Sequence, residues 1–252
     1  MNMSAKLICV WGSPASGKTV LSLALGAALA VDKKNVIIFN GDKLTPMLKV
    51  FVPSAEIESS QSVGPLLMSG RFDDTLFAQR LVVHPECEYL CFMGMAPSDN
   101  YITYDSFNDE PVMKVLNKMM NQAEYVIVDC TANPIDDNMS QIAMELANFK
   151  ICCITADTKG IAYLDSARMI YSESRFDLDN HIKVVGNVKN ISPVSELMAV
   201  SGKFDYVLPY SPEVENRFIG GELLTGLNRM ASREFSREIK RLAKKIMEEA
   251  HE

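Results

Sequence analysis

The chain has 252 residues, 48% hydrophobic and 23% charged, with a formal net charge of −7. That is enough apolar material for one large core, read here as a single domain over residues 1–252, and the acidic balance disfavours long-range attraction of the whole protein to nucleic acid or anionic lipid. Six cysteines lying mostly in apolar runs, no CxxC pair and three scattered histidines (His84, His181, His251) argue against a zinc or iron–sulfur site and read as the reduced thiols of a cytoplasmic protein.

Met1 to Lys6 lead into an apolar stretch, but Gly12, Pro14 and Lys18 break it before it could serve as a signal peptide. No apolar run is long enough to span a membrane. Residues 7–11 read as a buried strand, followed by Gly12-Ser13-Pro14-Ala15-Ser16-Gly17-Lys18-Thr19 and a helix over 18–31. A second buried strand is expected at 36–40. Residues 45–80, with Pro46, Pro53 and Pro65, and the polar stretch 94–111 are the least regular segments. Between and beyond them, strands are expected at 89–93, 125–129, 150–156 and 183–187, with a weaker one at 206–208. Helical spacing marks 112–122, 139–147, 161–174, 194–200 and 233–250.

Strand and helix alternate along nearly the whole chain. This predicts an α/β fold with a doubly wound, mostly parallel sheet and helices on both faces, whose ligand site lies at the carboxyl ends of the strands. Cys152 and Cys153 are adjacent in one strand and should point to opposite faces. The last helix sets Phe235, Ile239, Leu242 and Ile246 against Arg233, Arg237, Lys240, Arg241, Lys244 and Lys245. Contact with a membrane or with DNA is open to such a helix, but Glu234, Glu238, Glu248 and Glu249 dilute its basic face and favour packing on the sheet.

Gly12 to Thr19 satisfies G-x-x-x-x-G-K-[ST] between an apolar strand and an amphipathic helix, the context the phosphate-binding loop requires. Glycines at its ends let backbone N–H groups turn toward phosphate oxygens, and the positive end of the following helix adds attraction. Lys18 would reach the β- and γ-phosphates, the Thr19 hydroxyl would bind Mg²⁺, and Val20 continues the loop into the helix. Asp129, at the end of Tyr125-Val126-Ile127-Val128-Asp129, is the candidate carboxylate for the magnesium ion, held through water. Asp42, two residues beyond the strand at 36–40, is a further candidate, although a Gly-Asp turn needs no function.

Together these motifs resemble the ParA/MinD group of P-loop ATPases. Asn40-Gly41-Asp42 is similar to the group's D-x-D, with only the second aspartate kept, and Asp129-Cys130-Thr131-Ala132 is similar to its D-x-P-P without the prolines. Lys183-Val184-Val185-Gly186-Asn187 resembles the strand whose asparagine reads the adenine edge, and Leu208-Pro209-Tyr210-Ser211-Pro212-Glu213-Val214 resembles the loop that lines the base. The resemblance thus implies ATP or ADP as ligand, with Asn187, Pro209, Tyr210 and Ser211 around the base and Asp42 orienting the attacking water. An N-K-x-D guanine motif is absent, which also favours adenine. The group's deviant loop carries a lysine that reaches across a nucleotide-sandwich dimer, and here Ser13 stands in that place. "VWGSPASGKT" with "NGDKL" looks closest to the CpaE/TadZ branch, tied to pilus-assembly and secretion machinery.

The resemblance implies an ATP-binding switch with slow Mg²⁺-dependent hydrolysis, since a cation acting in trans is worth several powers of ten in phosphoryl transfer. A homodimer, nucleotide-dependent or pre-formed, would be its working unit. Two other readings stand beside it. One is a small-molecule kinase, with a second substrate near 45–80 and Arg71 or Arg80 as lid arginines. The other is a non-hydrolysing nucleotide-binding scaffold.

Overall fold

The computed structural model describes residues 5–133, 137–227 and 229–250, so His251 lies outside the described residues. The strands are β1 (Lys6–Gly12), β2 (Val36–Asn40), β3 (Val82–His84), β4 (Cys87–Gly94), β5 (Tyr125–Asp129), β6 (Phe149–Thr155), β7 (Ile182–Val188) and β8 (Tyr206–Pro209). They form one sheet in the order β3-β4-β2-β5-β1-β6-β7-β8. Every neighbouring pair is parallel except β3 with β4. β2 and β5 are buried along their whole length, as expected of strands covered on both faces.

The helices are α1 (Lys18–Val31), α2 (Leu48–Phe51), α3 (Gly64–Ser69), α4 (Asp74–Ala78), α5 (Asp109–Met120), α6 (Asn138–Leu146), α7 (Thr158–Ile170), α8 (Val194–Ser201), α9 (Pro212–Gly220) and α10 (Met230–Glu249). Side-chain alternation along the strands divides the core in two. Leu7, Cys9, Trp11 and Cys152 pack with α5, α6, α7 and α8 on one face. Ile8, Val10 and Cys153 pack with α1, α2 and α10 on the other. The adjacent cysteines therefore do face opposite ways.

β1 lies between β5 and β6. The chain leaves β1 through α1 on one face to reach β2, and later leaves β5 through α6 on the other face to reach β6. Winding in opposite directions from the adjacent strands β1 and β5 opens a crevice at their carboxyl ends, the place where such sheets bind ligands. α10 seats Phe235, Ile239, Leu242 and Ile246 in the core, while Arg241, Lys244 and Lys245 pair with Glu238, Glu248 and Glu249 on its outer side. That is the packing helix expected from the diluted basic face.

Four expectations need correction. Residues 45–80 are not irregular throughout: they hold α2, α3 and α4, helices of four to six residues that are too short to show a hydrophobic period. β3 was absent from the sequence reading because three residues cannot display alternation. Residues 212–214, read as loop, open α9, where Ser211 caps the helix and Pro212 takes its first position. α7 also begins earlier than expected, because Asp157 Oδ1 accepts the Gly160 N–H at 2.9 Å.

Candidate nucleotide site

The loop after β1 is pressed against β6. A Cβ on Gly12 would stand 1.8 Å from the Cys153 carbonyl oxygen, and the residue's φ of +138° lies where side chains are rarely tolerated. The Ser13 N–H donates to Cys153 O at 3.0 Å, and Ser13 Oγ accepts the Thr155 N–H at 3.0 Å. The loop then curls about the Ser13 carbonyl, which accepts from Ser16 Oγ at 2.8 Å and from Lys18 Nζ at 2.9 Å. Pro14 is exposed at the outside of the curl. Ala15 is left-handed at φ +58°, and Gly17 at φ +88° hands the chain to α1. The first amides of a helix have no carbonyl one turn back, so this junction offers N–H donors and a positive helix end to an anion.

Burial pushes the Lys18 ammonium below the ordinary lysine range, with the nearby Asp129 charge acting the other way. β1 and β5 run in register, with Val10 opposite Asp129, which carries Asp129 to the base of the loop. There Thr19 Oγ1 donates to Asp129 Oδ2 at 2.8 Å and Ser22 Oγ to Oδ1 at 3.2 Å. Burial pushes the Asp129 carboxyl up to about 6, against the hydrogen bond from Thr19, the Lys18 charge and the hydrogen bonds from Ser22 and Asn40. A divalent cation beside it would tip that balance to the carboxylate. The donors converging here, one hydroxyl and one carboxylate, are hard oxygens and fit Mg²⁺, which takes few protein ligands and completes its shell with phosphate oxygens and water.

Asn40 stands out as a residue whose role the sequence did not reveal. Its Nδ2 donates to the Asp129 backbone oxygen at 2.9 Å and to Oδ2 at 3.2 Å, and its Oδ1 accepts the Asp42 N–H at 3.0 Å. An aspartate here would set two buried carboxylates face to face, whereas the Asn40 amide donates to Asp129 without adding charge. Asp42 itself is half-buried, and its Oδ1 accepts the Leu44 and Thr45 N–H groups at 2.7 and 3.0 Å. Its carboxylate thus caps its own turn, and Asn40 links it to Asp129.

Beside the loop opens a cavity of about 640 Å³, within the ~300–1,000 Å³ usual for ligand pockets. Val20 of α1 lines it together with Asn187, Pro209, Tyr210 and Ser211, which the carboxyl ends of β7 and β8 bring in. Tyr210 OH donates to Glu215 Oε2 at 2.6 Å, and Lys189 Nζ stands 5.2 Å from the Tyr210 ring centroid. Ser211 Oγ accepts the Val214 N–H at 3.4 Å, so it also caps α9. Gly186 was not singled out in the sequence. A Cβ there would meet the Ser16 carbonyl oxygen at 2.0 Å, which makes it the seat of the loop's far side. The apolar strand before Gly186 was visible, but the close approach of a loop about 170 residues away was not.

Neither a family model nor a curated protein matches the sequence. Solved structures do. The MinD cell division protein of Aquifex aeolicus superposes with a TM-score of 0.71 at 18% identity, covering 96% of this chain and 95% of its own. A ParA family ATPase from Chlorobium tepidum gives 0.74 at 14%, covering 95% and 99%. The septum site-determining protein MinD from Pyrococcus horikoshii, complexed with Mg-ADP, gives 0.70 at 13%, covering 95% and 94%. The likeness extends over nearly the whole of each chain, and the protein has the fold of the MinD and ParA ATPases.

Proposed function

We propose that this protein is an ATP-binding switch that works as a homodimer, nucleotide-dependent or pre-formed, in the cytoplasm. The observation that carries the reading is the continuity of three elements: the Gly12–Thr19 loop, the Thr19–Asp129 pair and the 640 Å³ cavity. Triphosphate would lie on the loop with Lys18 against it, Mg²⁺ between Thr19, Asp129 and phosphate, and adenine in the cavity among Asn187, Pro209, Tyr210 and Ser211. The Mg-ADP complex of a protein with the same fold supports this assignment.

Hydrolysis is proposed to be slow. The position that would hold a cross-dimer lysine is Ser13, whose hydroxyl is committed to Thr155 of its own chain. Asp42 remains the candidate for orienting water. The resemblance of "VWGSPASGKT" and "NGDKL" to the CpaE/TadZ branch supports, as the finer reading, a protein that positions or assembles a larger machine such as a pilus or secretion apparatus. Replacing Lys18 by alanine should weaken ATP binding by about two orders of magnitude or more, as expected for loss of a charge-assisted phosphate contact in a buried site. Retained affinity in a fluorescent-nucleotide titration would overturn the site. Light scattering with ATP–Mg²⁺ against ADP tests the switch, and equal masses in both states would leave only a pre-formed dimer or a monomer.

A non-hydrolysing scaffold is the second reading, favoured by the commitment of Ser13 Oγ to the Thr155 N–H of β6 and of the Asp42 carboxylate to its own turn. A single-turnover assay separates the two. Of the two lid arginines of the kinase reading, Arg80 is buried with its guanidinium on the Ser60 carbonyl, which leaves that role to the exposed Arg71.

A further inference from the structure

Asn187 sits at the end of β7 with φ +52°, a left-handed conformation that asparagine tolerates better than most residues. Its side chain does not simply face the cavity. Nδ2 donates to the Ala15 carbonyl oxygen at 2.9 Å, and because a carbonyl can only accept, the orientation of the amide is set by chemistry. A Cβ on Gly17 would stand 3.4 to 3.6 Å from the same amide, so the side chain lies close over the loop's last glycine. One residue earlier, Gly186 receives the Ser16 carbonyl in a gap that no side chain could share. Ala15, the residue held at its carbonyl, is itself left-handed at φ +58°. Such a conformation costs an alanine free energy and persists where neighbours enforce it.

We propose that Asn187 is a positioning residue of the phosphate loop: it holds the loop's apex in its anion-binding shape and mechanically joins the base cavity to the phosphate cradle. This rests on the nucleotide-binding reading above and adds a role distinct from contact with the base. Since Asn187 also lines the cavity, a base that engages it acts on the same side chain that holds Ala15. The loop is thereby preorganised before phosphate arrives, and preorganisation lowers the cost of binding.

The test is Asn187→Gly, which removes the amide, adds no charge and accepts the positive φ. Displacement of a fluorescent ATP analogue is measured with Mg²⁺-tripolyphosphate, which has no base, and with adenosine, which has no phosphate. The expected result is tripolyphosphate, which cannot touch the base cavity, weakened about five- to tenfold, the size of one lost hydrogen bond, while any change in adenosine reads the separate contact of Asn187 with the base. Weakened adenosine with unchanged tripolyphosphate would overturn the inference and leave Asn187 as a base contact alone. Equal weakening of both with a lowered melting temperature would overturn it in favour of a general structural role. Hydrogen exchange of the amides of residues 13–19 in ligand-free protein gives a second readout. Exchange in the loop should accelerate in Asn187→Gly while the β1 amides stay protected, and an unchanged loop would overturn the inference. Failure of the unsubstituted protein to bind either ATP or tripolyphosphate would bring down the nucleotide-binding reading itself, a result separable from any effect of Asn187.

Discussion

Replacing His181 by glutamine should remove a pH dependence of stability that the folded protein carries in mild acid. His181 is buried beneath the loop that follows α7, and both its ring nitrogens are committed. Nδ1 accepts the Trp11 indole N–H at 2.9 Å, and Nε2–H donates to Phe176 O at 2.8 Å. Only the neutral ring satisfies both partners, because protonation would turn Nδ1 into a second donor facing the indole N–H. Burial pushes the His181 pKa down to about 4, with the Phe176 carbonyl and Asp177 opposing and Lys150 and Lys183 reinforcing the shift. The folded pKa lies below the ordinary 6.5, so between those values the unfolded chain holds more protons and stability falls as the pH is lowered. The full difference is about 3 kcal/mol, of which about 2 kcal/mol should appear between pH 7.5 and pH 5. Glutamine cannot take up a proton but can still accept from the indole. Urea denaturation followed by Trp11, the sole tryptophan of the sequence, at a series of pH values would measure both proteins. The wild-type curve should lose about 2 kcal/mol more than His181→Gln over that interval. Parallel curves, or an NMR titration of His181 with a midpoint near 6.5, would refute the reasoning.

Asn40→Asp should destabilise the ligand-free protein by about 2–4 kcal/mol near neutral pH, since it exchanges two donated hydrogen bonds for a carboxylate against buried Asp129. Chemical denaturation reads this, and a change below 0.5 kcal/mol, the scatter of ordinary surface substitutions, would show that the side chains simply part. Gly186→Ala should displace the phosphate loop by driving a methyl into the Ser16 carbonyl, and ATP affinity should fall about tenfold or more. Unchanged affinity by calorimetry would mean that the loop does not rely on this seat. Asp42→Ala should leave ATP binding within about twofold while lowering hydrolysis, with some loss of stability of about 1 kcal/mol from the uncapped turn. An unchanged single-turnover rate would remove Asp42 from the chemistry and leave it a turn cap.

Much of the fold was legible along the chain because its governing signals are local. β2 and β5 are uninterrupted apolar runs, each ending at a polar residue, Asn40 and Asp129, and their bounds in the structure are those read from the sequence. The Gly12–Thr19 pattern states its own requirements of backbone freedom, cation and hydroxyl. What escaped was short or relational. β3 and α2 are three and four residues long, less than the window in which a period can be counted. Asp157 as the cap of α7 was readable in principle, as an acidic residue three positions before Gly160, yet apolar spacing drew the start of the helix further along.

By itself the sequence determined that a strand, a phosphate-binding turn and a helix follow one another near its start, and that buried strands alternate with helices to its end, because backbone preference and hydrophobic period act between near neighbours. Only the tertiary structure decided which groups share the site. The Thr19–Asp129 bond joins residues 110 positions apart, and the Asn187–Ala15 bond joins residues 172 apart. It also gave Asn40 and Gly186 their meaning, one as the neutral donor beside a buried carboxylate and the other as the gap into which Ser16 turns its carbonyl. Such roles depend on distances across parallel strands brought together by crossovers, and those distances leave no period or motif within the chain.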